Sequence, residues 1–205
     1  MDKLYWLETY GCQMNKAESA GFELELGTTG WKPSQTPEQA DLVLLNTCSV
    51  RTTAENRIWG RIGFYKSLKK KRNFRLAVVG CMAERLKQAI RQREPAVDDV
   101  VGTFEKEAFF ASLENPAGTF PAGETKGSFQ FSDLYTASSS FQSLVPIMHG
   151  CNNFCSYCIV PYVRGRETSR DPVSIKHELN ILRDNGVQEI TLLGQNVNSY
   201  AFVQD

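Results

Sequence analysis

The sequence predicts an α/β fold whose first half is a parallel sheet flanked by helices, and three observations carry that expectation. Residues 3–10, 41–46 and 74–80 are short β-rich or apolar runs. Each is followed by a stretch of helical composition, and strands alternating with helices favour a parallel sheet. The interval between equivalent points, 36 residues from Cys12 to Cys48 and 33 from Cys48 to Cys81, suits a complete β-α-β unit. Such a pattern describes an open sheet of the Rossmann or flavodoxin-like class.

The helix after the second strand is expected to start near Thr52 and to run into a basic stretch over 66–75 that includes Lys69-Lys70-Lys71-Arg72. Cations at a helix C-terminus are favoured by the backbone dipole alone. The alternative is a patch for RNA phosphates with salt-dependent affinity. Residues 114–140 hold Asn115-Pro116-Ala117-Gly118, Pro121-Ala122-Gly123 and Ser138-Ser139-Ser140, a concentration of breakers and small polar residues that marks a linker. The expected division is therefore a first domain over 1–115, a linker over 116–140 and a second domain over 141–205. In the second domain a helix is expected over 171–185, because Asp171-Pro172 is a capping residue followed by proline in the first turn and Gly186 is a natural stop. The apolar run 189–193 reads as a strand.

The chain has 205 residues, 41% of them hydrophobic, enough for a real core. Formal net charge is zero, so bulk charge gives no argument for nucleic acid, and an RNA partner has to be inferred from local patches. No basic leader with a following apolar stretch opens the sequence and no apolar run approaches a bilayer span, which makes the cytoplasm the expected compartment. Six cysteines in a chain of this length without a secretory mark suit metal-binding thiols better than three disulfides.

Two groups of cysteines stand out. Cys12, Cys48 and Cys81 each follow one of the first three strands, in Tyr-Gly-Cys, Asn-Thr-Cys and Val-Gly-Cys. Parallel neighbours joined by right-handed crossovers put their carboxyl ends on one edge, about 4.8 Å apart per strand and roughly 10 Å across three. Open α/β sheets bind ligands at that edge, so three thiols there could close around a cluster; otherwise they are small buried hydrophobes. Cys151, Cys155 and Cys158 form a Cys-x3-Cys-x2-Cys triplet. Three thiolates can hold three irons of a [4Fe-4S] cube and leave the fourth open to a small molecule. The alternatives are a zinc site, for which His149 could be a fourth ligand, and thiols without metal. His177, in the predicted helix, is expected to face solvent. Neither a general acid/base pair nor a phosphate-binding glycine loop stands out.

The triplet resembles the signature of radical S-adenosylmethionine (SAM) enzymes, in which Tyr157 would be the aromatic residue before the last cysteine. Gly11-Cys12-Gln13-Met14-Asn15, Asn46-Thr47-Cys48-Ser49-Val50-Arg51, Val79-Gly80-Cys81 and the run from Gly150 through Cys158 to Glu167 resemble, more narrowly, the radical SAM methylthiotransferases. The Asn152-Asn153 pair and Leu193-Gly194-Gln195-Asn196-Val197-Asn198-Ser199-Tyr200 are most similar to the MiaB-type branch. That branch adds a methylthio group to carbon 2 of isopentenyl-adenosine beside the tRNA anticodon. Related branches act on threonylcarbamoyl-adenosine in tRNA or on an aspartate of a ribosomal protein, and usually carry an acidic residue after the first cysteine of the triplet, where Asn152 stands here.

The resemblance implies two [4Fe-4S] clusters, one on each group of cysteines, and SAM bound at the open iron of the second. One SAM would methylate a sulfur carried by the first cluster and another would be cleaved to a 5'-deoxyadenosyl radical; the cofactor bears the chemistry and the protein positions it. It also implies that the second half opens a radical SAM (β/α) barrel, with Gly194, Gln195 and Asn196 at the end of its second strand holding the methionine part of SAM; the alternative is an ordinary glycine turn. Arg164, Arg166 and Arg170 form a basic stretch suited to substrate RNA phosphates or simply to solubility. Implied partners are the tRNA anticodon stem-loop, an electron donor such as flavodoxin or ferredoxin, and a sulfur donor, with no membrane. A full barrel needs about 200 residues or more, so the chain is expected to stop mid-barrel and to have little activity alone. A rival of another class is a non-catalytic metal-binding scaffold.

Overall fold

The computed structural model describes residues 2–50, 52–114, 129–135 and 141–203. The expected linker over 116–140 lies mostly outside them. The chain forms two compact units, one of Met1–Gly11 with Glu25–Ser128 and one of Cys12–Leu24 with Phe129–Asp205. Among the described residues no helix is long and apolar enough to cross a membrane.

The first unit is built on five parallel strands, β1 (Lys3–Tyr10), β2 (Trp31–Pro33), β3 (Leu42–Thr47), β4 (Arg75–Gly80) and β5 (Asp99–Val101). Their order in the sheet is β2-β1-β3-β4-β5, the flavodoxin-like winding with its topological switch between β1 and β3. All six residues of β3 are buried, as a central strand covered on both faces must be, and this is why it reads as an apolar run. Helices α2 (Thr52–Lys69) and α3 (Cys81–Arg93) supply Ile58, Ile62, Tyr65, Met82 and Ile90 to a core shared with Val43, Leu45, Leu76 and Val78. The two edge strands, three residues each, are too short to show periodicity in the sequence.

Polar side chains tie the layers together. Glu8 on β1 accepts hydrogen bonds from Arg61 Nε at 2.8 Å, Tyr65 Oη at 2.6 Å, Tyr10 Oη at 2.7 Å and Trp6 Nε1 at 3.0 Å. Burial works to raise the pKa of Glu8, but these donors outweigh it, with Arg61 foremost, and hold the carboxyl below its usual range. Arg75 grips Asp99 with Nε at 2.6 Å and Nη2 at 3.0 Å, and reaches Ser112 Oγ at 3.0 Å on α4 (Lys106–Glu114). In the basic stretch over 66–75, Lys66 pairs with Glu94, Lys69 with Asp98, Arg72 with Asp41 at 2.5 Å and Arg75 with Asp99, so four of its six cations serve the fold.

The second unit contains α1 (Gln13–Thr28) as far as Leu24, the parallel pair β6 (Gln142–Pro146) and β9 (Glu189–Leu193), and the short antiparallel pair β7 (Met148–His149) and β8 (Thr168–Ser169). Between β6 and β9 lie α5 (Val160–Arg164) and α6 (Pro172–Asp184). The strand pair with α6 between is a single β-α-β unit, the repeat from which a (β/α) barrel is built. Asp171 caps α6 by accepting from Val173 N at 2.9 Å, and Gly186 follows the helix at φ +81°. Val145, Ile147, Leu182 and Val187 form the core under α6, while Met14 and Ala17 of α1 join Tyr135 and Leu193 in another. Arg170, 2% exposed, pairs with the buried Glu178 and donates to Asp133 O at 2.8 Å, holding 133–135 against α6.

Candidate metal centre

The loop from Cys151 to Cys158 leaves β7 through Gly150, and that glycine is obligatory. Its φ is +79°, and a Cβ there would lie 2.0 Å from the carbonyl oxygen of Arg166. Gly150 N donates to Gln195 Oε1 at 2.6 Å, and Cys151 N donates to Gly165 O at 3.1 Å. Within the loop, Cys158 N donates to Cys155 O at 2.9 Å, and Phe154 takes a left-handed φ of +46° that turns the chain between the first two cysteines. Cys151 is buried, Cys158 half-buried and Cys155 exposed. The loop is thus fixed at its base and open at its tip.

Asn152 and Glu167 clasp the loop from the side. Asn152 N donates to Glu167 Oε1 at 3.2 Å and its Nδ2 to Oε2 at 3.4 Å, while Glu167 N donates to Asn152 Oδ1 at 3.2 Å. Asn196 Nδ2 adds a third donor to Glu167 Oε1 at 3.4 Å. The backbone donor of Asn152 is the main reason that the Glu167 carboxyl sits below its usual pKa range. Gln195 and Asn196 therefore both bind the loop's surroundings, and Gly194 lets β9 approach β7, since a Cβ there would lie 2.4 Å from Met148 Cγ. Its φ is not left-handed, so close approach rather than a turn explains that glycine.

The other cysteines sit at strand ends. The register aligns Tyr10, Thr47 and Gly80 in one row across β1, β3 and β4, and Cys48 and Cys81 follow that row directly. Cys48 and Cys81 are each 2% exposed. Gly80, at φ +94°, leaves no room for a side chain, because a Cβ would meet Thr47 O at 2.7 Å. Cys12, two residues beyond Tyr10, precedes α1; its N and Sγ lie 3.4 and 3.2 Å from Asn15 Oδ1. All six cysteines are thiols outside any disulfide.

Among the described residues no group of three or more His, Cys, Asp or Glu side chains closes on a single metal ion. Thiolates of a [4Fe-4S] cube bind separate irons and do not share one centre. Three thiols on one clasped loop fit the cube's donor set.

Residues 4–102 match the family described as uncharacterized protein family UPF0004, and residues 145–205 match the radical SAM superfamily. Relatives named tRNA-2-methylthio-N(6)-dimethylallyladenosine synthase are 49% identical in Treponema pallidum subsp. pallidum and 51% in Treponema denticola, each over 96% of this chain and 46% of the relative. One of the same name in Phocaeicola vulgatus is 42% identical over 100% of this chain and 46% of its own length. Over both of these segments the chain is similar to those relatives. It spans about half the length of the curated relatives it matches.

Two of the three arginines after the loop, Arg164 and Arg170, need correction. Arg164 is 3% exposed and its guanidinium grips Glu18 with Nη1–Oε1 at 2.7 Å and Nη2–Oε2 at 3.1 Å. Arg170 is neutralised by Glu178 through Nη1, while Nη2 donates to Asp133 O at 2.8 Å. A buried guanidinium neutralised by a carboxylate presents no charge to an RNA phosphate. Only Arg166, exposed and stacked over the Phe154 ring at 4.4 Å, keeps that capacity. Tyr157 is 89% exposed at the loop tip, and His177 is exposed on α6. His149 is buried, stacked on Phe129 with ring centroids 3.4 Å apart, its Nδ1 3.3 Å from Arg164 Nη1. Sequence reasoning missed Asn15, Glu18 and the clasp of Glu167. Glu167 had a local signal, its place three residues after Arg164 in the matching run; Glu18 had none.

Proposed function

We propose that the chain serves a radical SAM methylthiotransferase that adds a methylthio group to carbon 2 of isopentenyl-adenosine next to the anticodon of tRNA. The observation that carries this reading is the Cys-x3-Cys-x2-Cys loop on its clasped base, in a chain 49–51% identical to the Treponema relatives of that name. In this reading residues 1–115 form the methylthiotransferase domain, 116–140 a linker and 141–205 the start of the barrel. Cys151, Cys155 and Cys158 hold one [4Fe-4S] cluster, and Cys12, Cys48 and Cys81 a second. The aligned row of Tyr10, Thr47 and Gly80 supports the second set, since a cysteine follows each within two residues.

When bound, the clusters and SAM supply one-electron and radical chemistry at an unreactive carbon-hydrogen bond. The chain's own residues hold and orient them. Gly150 and Gln195 fix the base of the loop, Tyr157 offers an aromatic face at its tip, and Gly194, Gln195 and Asn196 present the end of β9 to the methionine part of SAM. Arg166 offers its charge to a phosphate of the anticodon stem-loop. An electron donor such as flavodoxin or ferredoxin, a sulfur donor and a cytoplasmic setting complete the proposal.

Asn152 favours the isopentenyl-adenosine branch over its siblings. It both donates to and accepts from Glu167, whereas an acidic residue there would set two carboxylates against each other. Mass spectrometry of tRNA from a strain lacking the gene tests the assignment. The expected result is loss of the methylthio group with isopentenyl-adenosine retained; loss of methylthiolation from threonylcarbamoyl-adenosine or from a ribosomal-protein aspartate would move the enzyme to a sibling branch.

A further inference from the structure

Arg164 and Glu18 lie 146 residues apart in sequence and form a two-pronged ion pair with side chains only 4% and 11% exposed. Glu18 sits on α1, one and a half turns after Cys12. Cys12 is tied to that helix, because its carbonyl accepts from Lys16 N at 3.2 Å and its N and Sγ both approach Asn15 Oδ1, a residue with no exposed surface. Arg164 ends α5, directly after the Cys151–Cys158 loop, and its Nη1 also reaches His149 Nδ1, two residues before Cys151. Every residue in this series belongs to the same compact unit.

Two desolvated charges are a poor source of stability compared with an apolar pair of similar size, whereas their fork geometry admits one mutual position. An apolar contact between α1 and α5 would tolerate sliding. We propose that Glu18 and Arg164 are a positioning pair that holds the helix following Cys12 against the loop of Cys151, Cys155 and Cys158, and so sets the separation between Cys12 and that loop. The pair rests on the proposed function only where that separation is read out by chemistry.

Hydrogen exchange on the iron-free chain is the first readout. Glu18→Gln should make residues 12–24 exchange about tenfold faster or more while β3 and β4 keep wild-type rates; unchanged exchange over 12–24 overturns the proposal. The second readout uses the double variant Glu18→Leu with Arg164→Met in the full-length enzyme after anaerobic reconstitution. This variant should regain exchange protection and wild-type iron content, yet yield less methylthiolated tRNA per 5'-deoxyadenosine formed. A wild-type ratio in that stable variant would reduce the pair to a structural contact and overturn the proposal. Absence of 5'-deoxyadenosine from the wild-type enzyme would instead refute the proposed function, and hydrogen exchange alone would then decide whether the pair holds α1.

Discussion

The two groups of cysteines are held by different means. Cys48 and Cys81 are buried and placed by a ladder of backbone hydrogen bonds running the length of β1, β3 and β4. The loop of Cys151, Cys155 and Cys158 is open and placed by a few side chains: Gln195 on Gly150, Glu167 on Asn152, and Arg164 on Glu18. A ladder shares its load among many bonds, so a single substitution moves it little. A clasp concentrates the load in one or two residues. The placement of Cys48 and Cys81 should therefore survive a polar substitution in the sheet even where stability falls, whereas loss of one clasp residue frees the loop locally.

Gly150→Ala is the severest test of this contrast. Left-handed φ and the 2.0 Å approach of Arg166 O together predict a loss of roughly 3 kcal/mol or more from the unit carrying the loop. Chemical denaturation with probes in each unit should show that transition shifted and the sheet's unchanged; a shift of both would erase the distinction. In the sheet, the largest polar effect belongs to Glu8→Gln, which weakens four donors and should cost about 2 kcal/mol. Because the folded-state pKa of Glu8 is depressed, its stabilisation is present above the usual value of 4.5 and is lost as pH falls through the lower folded value. Stability of the wild-type sheet should fall in that acidic range with a smaller slope in Glu8→Gln. Gln195→Ala removes one acceptor from a buried backbone N–H and should cost about 1 kcal/mol, read as faster hydrogen exchange at Gly150. Lys70→Ala and Lys71→Ala, at exposed positions, should change stability by less than about 0.5 kcal/mol. If they leave tRNA affinity at low salt intact as well, the basic run is a solvated helix end.

The same contrast explains what the sequence made legible. β3 and β4 announce themselves because central parallel strands bury both faces and read as apolar runs, whereas β1, with only Tyr5 buried, is legible by its β-rich composition. The strands β2 and β5 stay hidden because three residues carry no period. Asp171-Pro172 and Gly186 mark α6 by local chemistry, and the cap is formed as those residues require. The loop cysteines are legible because spacing is a local property. Arg164 and Arg170 mislead for the opposite reason: their neighbours suggest a basic surface, while the carboxylates that neutralise them come from Glu18 on α1 and Glu178 on α6. Glu18 lies 146 residues from Arg164 and leaves no trace in a local window, while Glu178 is only eight residues from Arg170 and meets it once α6 has formed.

Iron content after anaerobic reconstitution tests the central claim that each trio of thiols holds its own cube. About eight irons per chain are expected for the wild type, and about four after replacing either Cys12, Cys48 and Cys81 or Cys151, Cys155 and Cys158 with alanine. Iron content that stays at the wild-type level when the strand-end trio is removed would contradict the account.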